Sequence, residues 1–103
     1  MRPQIEPEIQ IVEDATADTE LEPLYRVLIH NDDVTPMDFV VHILKVHFYL
    51  SNPQAADIML TAHMYGSAYV QTLAKSEAEK RIVKAHTEAN NAGYPLGFSM
   101  EPE

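Results

Sequence analysis

Prolines and glycines cut the chain beyond residue 23 into short segments, and this punctuation constrains the fold more than any other feature. Leu24-Tyr25-Arg26-Val27-Leu28-Ile29-His30 is rich in β-formers and lies between Pro23 and the turn-forming Asn31-Asp32-Asp33, so it reads as a strand. Thr35-Pro36 reads as a helix start, with Thr35 as the cap and Pro36 in the first helical position. That helix runs to about Phe48, with Asp38, His42, Lys45 and Tyr49 as a polar stripe and Val40, Val41, Leu44 and Phe48 turned to the core. Ser51-Asn52-Pro53 repeats the signal and opens a second helix, which stops at Gly66. Ser67 to Ala74 reads as a second strand. Ser76-Glu77-Ala78-Glu79 fits a capping box for a third helix, whose apolar face is Ala78, Ile82, Ala85 and Ala89. Gly93 ends it, Pro95 blocks its continuation, and Gly97-Phe98-Ser99-Met100 is a short last strand. The order β-α-α-β-α-β implies an α+β domain, a small sheet packed against helices.

The rest of the chain, before this domain, has a different composition. Residues 1–24 hold seven acids, one base, three prolines and no aromatic residue. Such a segment buries too little apolar surface to offset its ordering entropy. Residues 1–23 are therefore expected to be a disordered acidic tail, with Ile9-Gln10-Ile11-Val12 as a transient strand at most, and 24–103 to be the folded domain. The whole chain carries a formal net charge of −9. This argues against duplex nucleic acid or an anionic membrane surface as the main partner, because both are bound through Lys and Arg. The longest apolar stretch, Phe39 to Leu50, is too short to span a bilayer and is interrupted by His42, Lys45 and His47. No signal or transit peptide is legible at the start, and cysteine is absent, so a cytoplasmic location is the compatible expectation.

Candidate chemistry concentrates between the first strand and the first helix. Asn31-Asp32-Asp33-Val34-Thr35-Pro36-Met37 reads first as ordinary turn chemistry. The alternative is a small acidic cleft for a cation, since Asn31 offers an amide oxygen and Asp32 a carboxylate to an ammonium group. His63, one turn after Met59, is by itself a partly buried histidine satisfied by a neighbour. His42 and His47 are five apart, a poor one-face spacing, so no metal site is expected, and no cofactor motif appears. No serine stands in a nucleophile elbow, and the three glycines are scattered, so neither a hydrolase nor a phosphate loop is supported.

Taken together, these segments resemble a known family. The run from Tyr25 to Val40, with its strand entering N-D-D-x-T-P-M, is similar to the opening of ClpS adaptors. Met59-Leu60-Thr61-Ala62-His63-Met64-Tyr65-Gly66 is similar to the family's M-L-x-V-H-x-x-G helix end, Ala78-Glu79 with Arg81 to its A-E-x-K helix, and Tyr94-Pro95-Leu96 to its x-P-L element. The resemblance spans residues 24–101 and implies a three-stranded antiparallel sheet with three helices. It implies a non-enzymatic N-degron adaptor, which binds substrates with N-terminal Leu, Phe, Tyr or Trp and delivers them to the N-domain of a Clp-type AAA+ unfoldase of the ClpA or ClpC class. By the same resemblance, Asn31, Asp32 and His63 hold the substrate's α-ammonium, and Asp33 and Thr35 shape the loop and meet the peptide backbone. Thr35, Met37, Val40, Met59, Ala62 and Leu96 line the pocket for the first side chain, and Glu79 and Arg81 dock the unfoldase. Ala62 stands where the family usually has Val, and Ser76 where it has Glu. The competing readings are a modulator that docks on the AAA+ N-domain without reading N-degrons and, more remotely, a small hydrolase using Asp32, Asp33 and His63.

Overall fold

The computed structural model describes residues 22–103. The acidic tail expected for residues 1–23, including Ile9–Val12, lies outside the described residues apart from Glu22 and Pro23. Six elements follow in the order β1 (Leu24–His30), α1 (Met37–Phe48), α2 (Asn52–Tyr65), β2 (Ser67–Ala74), α3 (Lys75–Ala92) and β3 (Gly97–Pro102). The sheet has the order β2-β1-β3, and both pairings are antiparallel. The fold is the α+β arrangement of three strands and three helices read from the punctuation.

β1 is the axis of the sheet. Val27 and Ile29 alternate along it and are fully buried, as a half-buried strand requires. Its register with β2 shifts between Val27 and Leu28, where Gln71 and Tyr69 are the successive partners, so Val70 is an extra residue on β2. Such a bulge bends its strand and increases the local twist. The helices close one contiguous core with this sheet. α1 contributes Ile43, Leu44 and Phe48, and Phe48 stacks on Phe98 of β3 with ring centroids 5.0 Å apart. α3 buries Ala78, Ile82, Ala85 and Ala89, the stripe read from its periodicity. Because three of these four are alanines, the helix backbone can approach the sheet closely and leaves room for the paired phenylalanines.

Two helix starts differ from the sequence reading. α1 begins at Met37, with Pro36 in the cap position and no side-chain cap, because the Thr35 hydroxyl is turned back to Asp32. α3 begins at Lys75, one residue ahead of the expected cap, so Ser76 lies inside the helix and forms no box with Glu79. Its exposed N–H and hydroxyl instead donate to the two carboxylate oxygens of Glu22, at 2.7 and 2.8 Å. A residue remote in sequence thus satisfies a helix terminus that the local pattern assigned to itself. The α2 start is as read: Ser51 caps Gln54, and the Gln54 side chain accepts the Ser51 N–H. β3 also runs two residues further than expected, to Pro102, because β1 offers partners as far as Tyr25.

α3 is fastened at two further points, once to α1 and once to the sheet. The carboxylate of Glu88 on α3 accepts from both His42 and His47 of α1, each at 2.7 Å. These bonds hold the Glu88 carboxyl below its ordinary range. On α3, His86 Nε2 accepts the Phe98 N–H at 2.9 Å, and burial lowers this imidazole below its usual value of 6.5. Only the neutral ring can accept that bond. Stability from His86 is therefore full above pH 6.5 and is lost as pH falls through the lowered folded-state value. Urea denaturation between about pH 7.5 and about pH 5.5 should show this loss in the wild type. His86→Gln keeps an acceptor that does not titrate, and its stability should fall less over the same range.

Candidate functional site

A cleft of about 300 Å³ opens where β1 ends. Four parts of the chain meet there: the loop from Asn31 to Pro36, the first turns of α1, the last turns of α2, and Leu96 just before β3. One backbone bond sets their relation. The Asn31 N–H donates to the Gly66 carbonyl at 2.9 Å and fastens the loop after β1 to the residue that ends α2. Gly66 sits at φ 93, a left-handed conformation that glycine adopts without penalty. His63, one turn before Gly66, is exposed instead of partly buried and lines the same cleft as Asn31.

The loop's shape comes from Asp32. One of its carboxylate oxygens accepts the N–H groups of Val34 and Thr35, at 2.8 and 2.7 Å, and the other accepts the Thr35 hydroxyl at 2.8 Å. Partial burial pushes the Asp32 carboxyl up. The bonds from Thr35 and Val34 outweigh that effect and hold it below the usual carboxylate range. Three of its roughly four acceptor directions are used inside the loop, which leaves one for a cation in the cleft. Asp32 therefore builds the loop as well as charging it. Sequence spacing could show the turn but not this double use.

The rest of the lining is largely apolar. Ile29, Val40, Ala62 and Leu96 are buried and make the floor of the cleft, and Met59 and Met37 line it while more exposed. All ten residues that the resemblance assigned to amine, loop and pocket roles line this one cleft. Ile29, His30, Val34 and Pro36 line it too and were not singled out. The signal for Ile29 was present, since it is the last inward residue of an alternating strand before Asn31. His30 is bound through Nε2 to Ser99 Oγ at 2.7 Å, a contact across the sheet that only the strand pairing reveals.

Glu79 and Arg81 lie on α3, which contributes no lining residue to the cleft. Glu79 is exposed. Arg81 is largely engaged within the chain, donating to Glu77 at 2.7 Å and to Gln71 at 3.0 Å while its guanidinium stacks 4.7 Å over the Tyr49 ring. Among the described residues, no group of three or more His, Cys, Asp or Glu side chains is arranged to hold a metal ion, and no helix is long and apolar enough to cross a membrane.

Comparison with known proteins assigns the architecture. Residues 20–99 match the family model described as ATP-dependent Clp protease adaptor protein ClpS. The chain belongs to the ClpS family. It is 46% identical over 85 residues to the ATP-dependent Clp protease adapter protein ClpS 2 of Mesorhizobium japonicum, covering 82% of this chain and 84% of that protein. It is 44% identical over 85 residues to the ClpS of Roseobacter denitrificans, covering 82% and 75%. The solved structure of Agrobacterium tumefaciens ClpS2 bound to L-phenylalaninamide is similar, with a TM-score of 0.76 and 41% identity over 79% of this chain and 98% of that one. As a ClpS protein, this chain is an adaptor of the Clp protease and not itself a protease.

The loop geometry gives a direct test. Asp32→Asn removes the charge that three donors point at and should destabilise the fold by about 1–2 kcal/mol in urea denaturation at neutral pH. Because the folded-state value of Asp32 is lowered, its contribution is present above its ordinary 3.8 and is lost as pH falls through the lowered value. The gap between wild type and Asp32→Asn should therefore narrow toward strongly acid pH.

Proposed function

We propose that the cleft binds the N-terminal residue of a protein chain that starts with a large apolar side chain, Phe, Tyr, Trp or Leu, and that the adaptor delivers such chains to a Clp-type AAA+ unfoldase. The observation that carries this is that one cleft is lined by two kinds of group. Asn31, Asp32 and His63 offer acceptors, while Ile29, Val40, Ala62 and Leu96 are its buried apolar floor. A free α-ammonium has three protons and a full charge, so it needs converging acceptors beside a carboxylate. An internal peptide bond offers neither. The neighbouring ClpS2 structure holds L-phenylalaninamide, a ligand with a free amine and an aromatic side chain, and this supports the same reading here.

The energetics require both ends. Each charge-assisted bond contributes about 1.5–3 kcal/mol, and burying a Leu or Phe side chain adds about 1.5–3 kcal/mol. Ordering the peptide end subtracts several kcal/mol. The balance lies near −8 kcal/mol, an affinity of about 1 μM. Neither the amine nor the side chain gives this alone. The protein therefore acts by recognition, without catalysis and without a cofactor, in the cytoplasm where Clp-type unfoldases work.

Delivery requires a second surface. We assign it to the exposed side of α3, with Glu79 as the free charged group facing the unfoldase N-domain, of the ClpA or ClpC class. Arg81 presents only the edge of its guanidinium that Glu77 and Gln71 leave open. Glu22, the first described residue, is bonded to Ser76 at this helix start.

Fluorescence anisotropy with short labelled peptides tests the pocket. Peptides starting in Phe or Leu should bind, and peptides starting in Val or acetyl-Phe should not. Unchanged affinity for acetyl-Phe would refute the reading. Met59 stands at the side of the floor, where a β-branched first residue needs room near Cβ. Met59→Ala should therefore admit peptides starting in Ile or Val, with about a tenfold gain. Ala62 widens the floor relative to Val, so Ala62→Val should shift the Phe-to-Leu preference toward Leu in the same assay.

A further inference from the structure

Lys80 and Lys84 stand one turn apart on the exposed side of α3, opposite its buried stripe. Like charges at this spacing repel. Among the described residues, neither lysine is in an ion pair. Two acids of the helix are engaged elsewhere, Glu77 by Arg81 and Glu88 by His42 and His47. The same side of α3 begins with an anchor. Ser76, one turn before Lys80, donates to both carboxylate oxygens of Glu22, and the Lys75 N–H donates to the Pro23 carbonyl at 3.1 Å. The sequence before this anchor has an acid at every second position, Asp18 and Glu20 leading to Glu22. Two residues of extended chain advance about 7 Å. Four residues of helix advance about 6 Å. A chain laid back along α3 from Ser76 therefore brings Glu20 level with Lys80 and Asp18 level with Lys84.

We propose that residues 18–21 lie along this side of α3, Glu20 against Lys80 and Asp18 against Lys84, as a cover that the unfoldase N-domain displaces when it docks beside Glu79. The displacement rests on the assignment of that surface to docking, whereas the contact itself does not. The occupant is this chain's own segment because the bonds of Glu22 and Pro23 tether it at the helix start, which makes the contact intramolecular and its effective concentration high. Its charge also complements the two lysines. Exposed pairs of this kind are individually weak and are screened by salt, so a partner lifts the cover at little cost. Docking on α3 and release of the tail are then one event.

Carbodiimide coupling of the full chain tests the contact, since it joins a carboxylate and an amine that touch. Mass spectrometry should find the cross-links Glu20–Lys80 and Asp18–Lys84 at low salt, and lose them at about 0.5 M salt. It should find none from these acids to Lys45, an exposed lysine of α1. Cross-links spread evenly over Lys45, Lys80 and Lys84, or none to the two lysines of α3, would overturn the proposal. The second measurement is affinity for the isolated N-domain of a ClpA- or ClpC-class unfoldase. The double variant Asp18→Asn, Glu20→Gln should bind it about three- to fivefold tighter than wild type, with the affinity for a Phe-start peptide unchanged. Equal or weaker N-domain binding by the variant would overturn the displacement. If wild type does not bind the N-domain, the docking assignment of α3 fails and the displacement with it, while the cross-links still decide the contact.

Discussion

The cleft depends on the end of the β1–β2 ladder, where His30 pairs with Ser67 and, one residue further, the Asn31 N–H donates to the Gly66 carbonyl. This last step sets the loop after β1 against the end of α2. Asn31 follows the central strand, and Gly66 ends a helix that starts 14 residues earlier at Asn52. The carbonyl faces the loop because the backbone turns through the left-handed region at Gly66, where a side chain would add strain. Nothing crowds the position where a Cβ would stand, so the demand for glycine there is conformational and not steric. The polar lining of the cleft is thus fixed jointly, by main chain at Asn31 and Gly66 and by the Asp32 carboxylate within the loop.

The apolar half is fixed differently, by the core itself. Ile29 and Val40 belong both to the cleft floor and to the buried cluster that includes Phe48 and Phe98. The floor is a face of the hydrophobic core left open, and its shape is set by packing that also stabilises the fold. Changes of volume there are felt twice, in stability and in selectivity.

The sequence made the elements and their order legible because each boundary is marked locally. Ser51, Pro53, Gly66 and Gly93 act within a few residues of themselves, and they sit where the reading placed them. The misread points are those where a side chain bonds across the chain. Thr35 looks like a cap, but its hydroxyl is taken by Asp32. Ser76 looks like a cap with Glu79, but Glu22 supplies the carboxylate. His42 and His47 are badly spaced for any shared ligand on one helix, and they nonetheless meet on Glu88 because α3 crosses α1 there. The cleft residues were legible mainly through the family resemblance. Asn, Asp and Thr in a loop carry turn chemistry and acceptor chemistry in the same letters, and the sequence could not show that the loop and His63 line one cleft.

The same principle explains the end of α1. Tyr49 is the one non-glycine residue among those described with positive φ, at 57°, and such a conformation costs about 1–2 kcal/mol. Three contacts offset it. The Tyr49 N–H still reaches the Leu44 carbonyl, the Gln71 side chain donates to the Phe48 carbonyl at 3.3 Å, and Arg81 covers the Tyr49 ring. Gln71 in turn accepts from Arg81, so one guanidinium on α3 supports both the orphan carbonyl and the strained residue beside it. Arg81 matches a docking position by resemblance, yet its geometry ties β2, α3 and the end of α1 together.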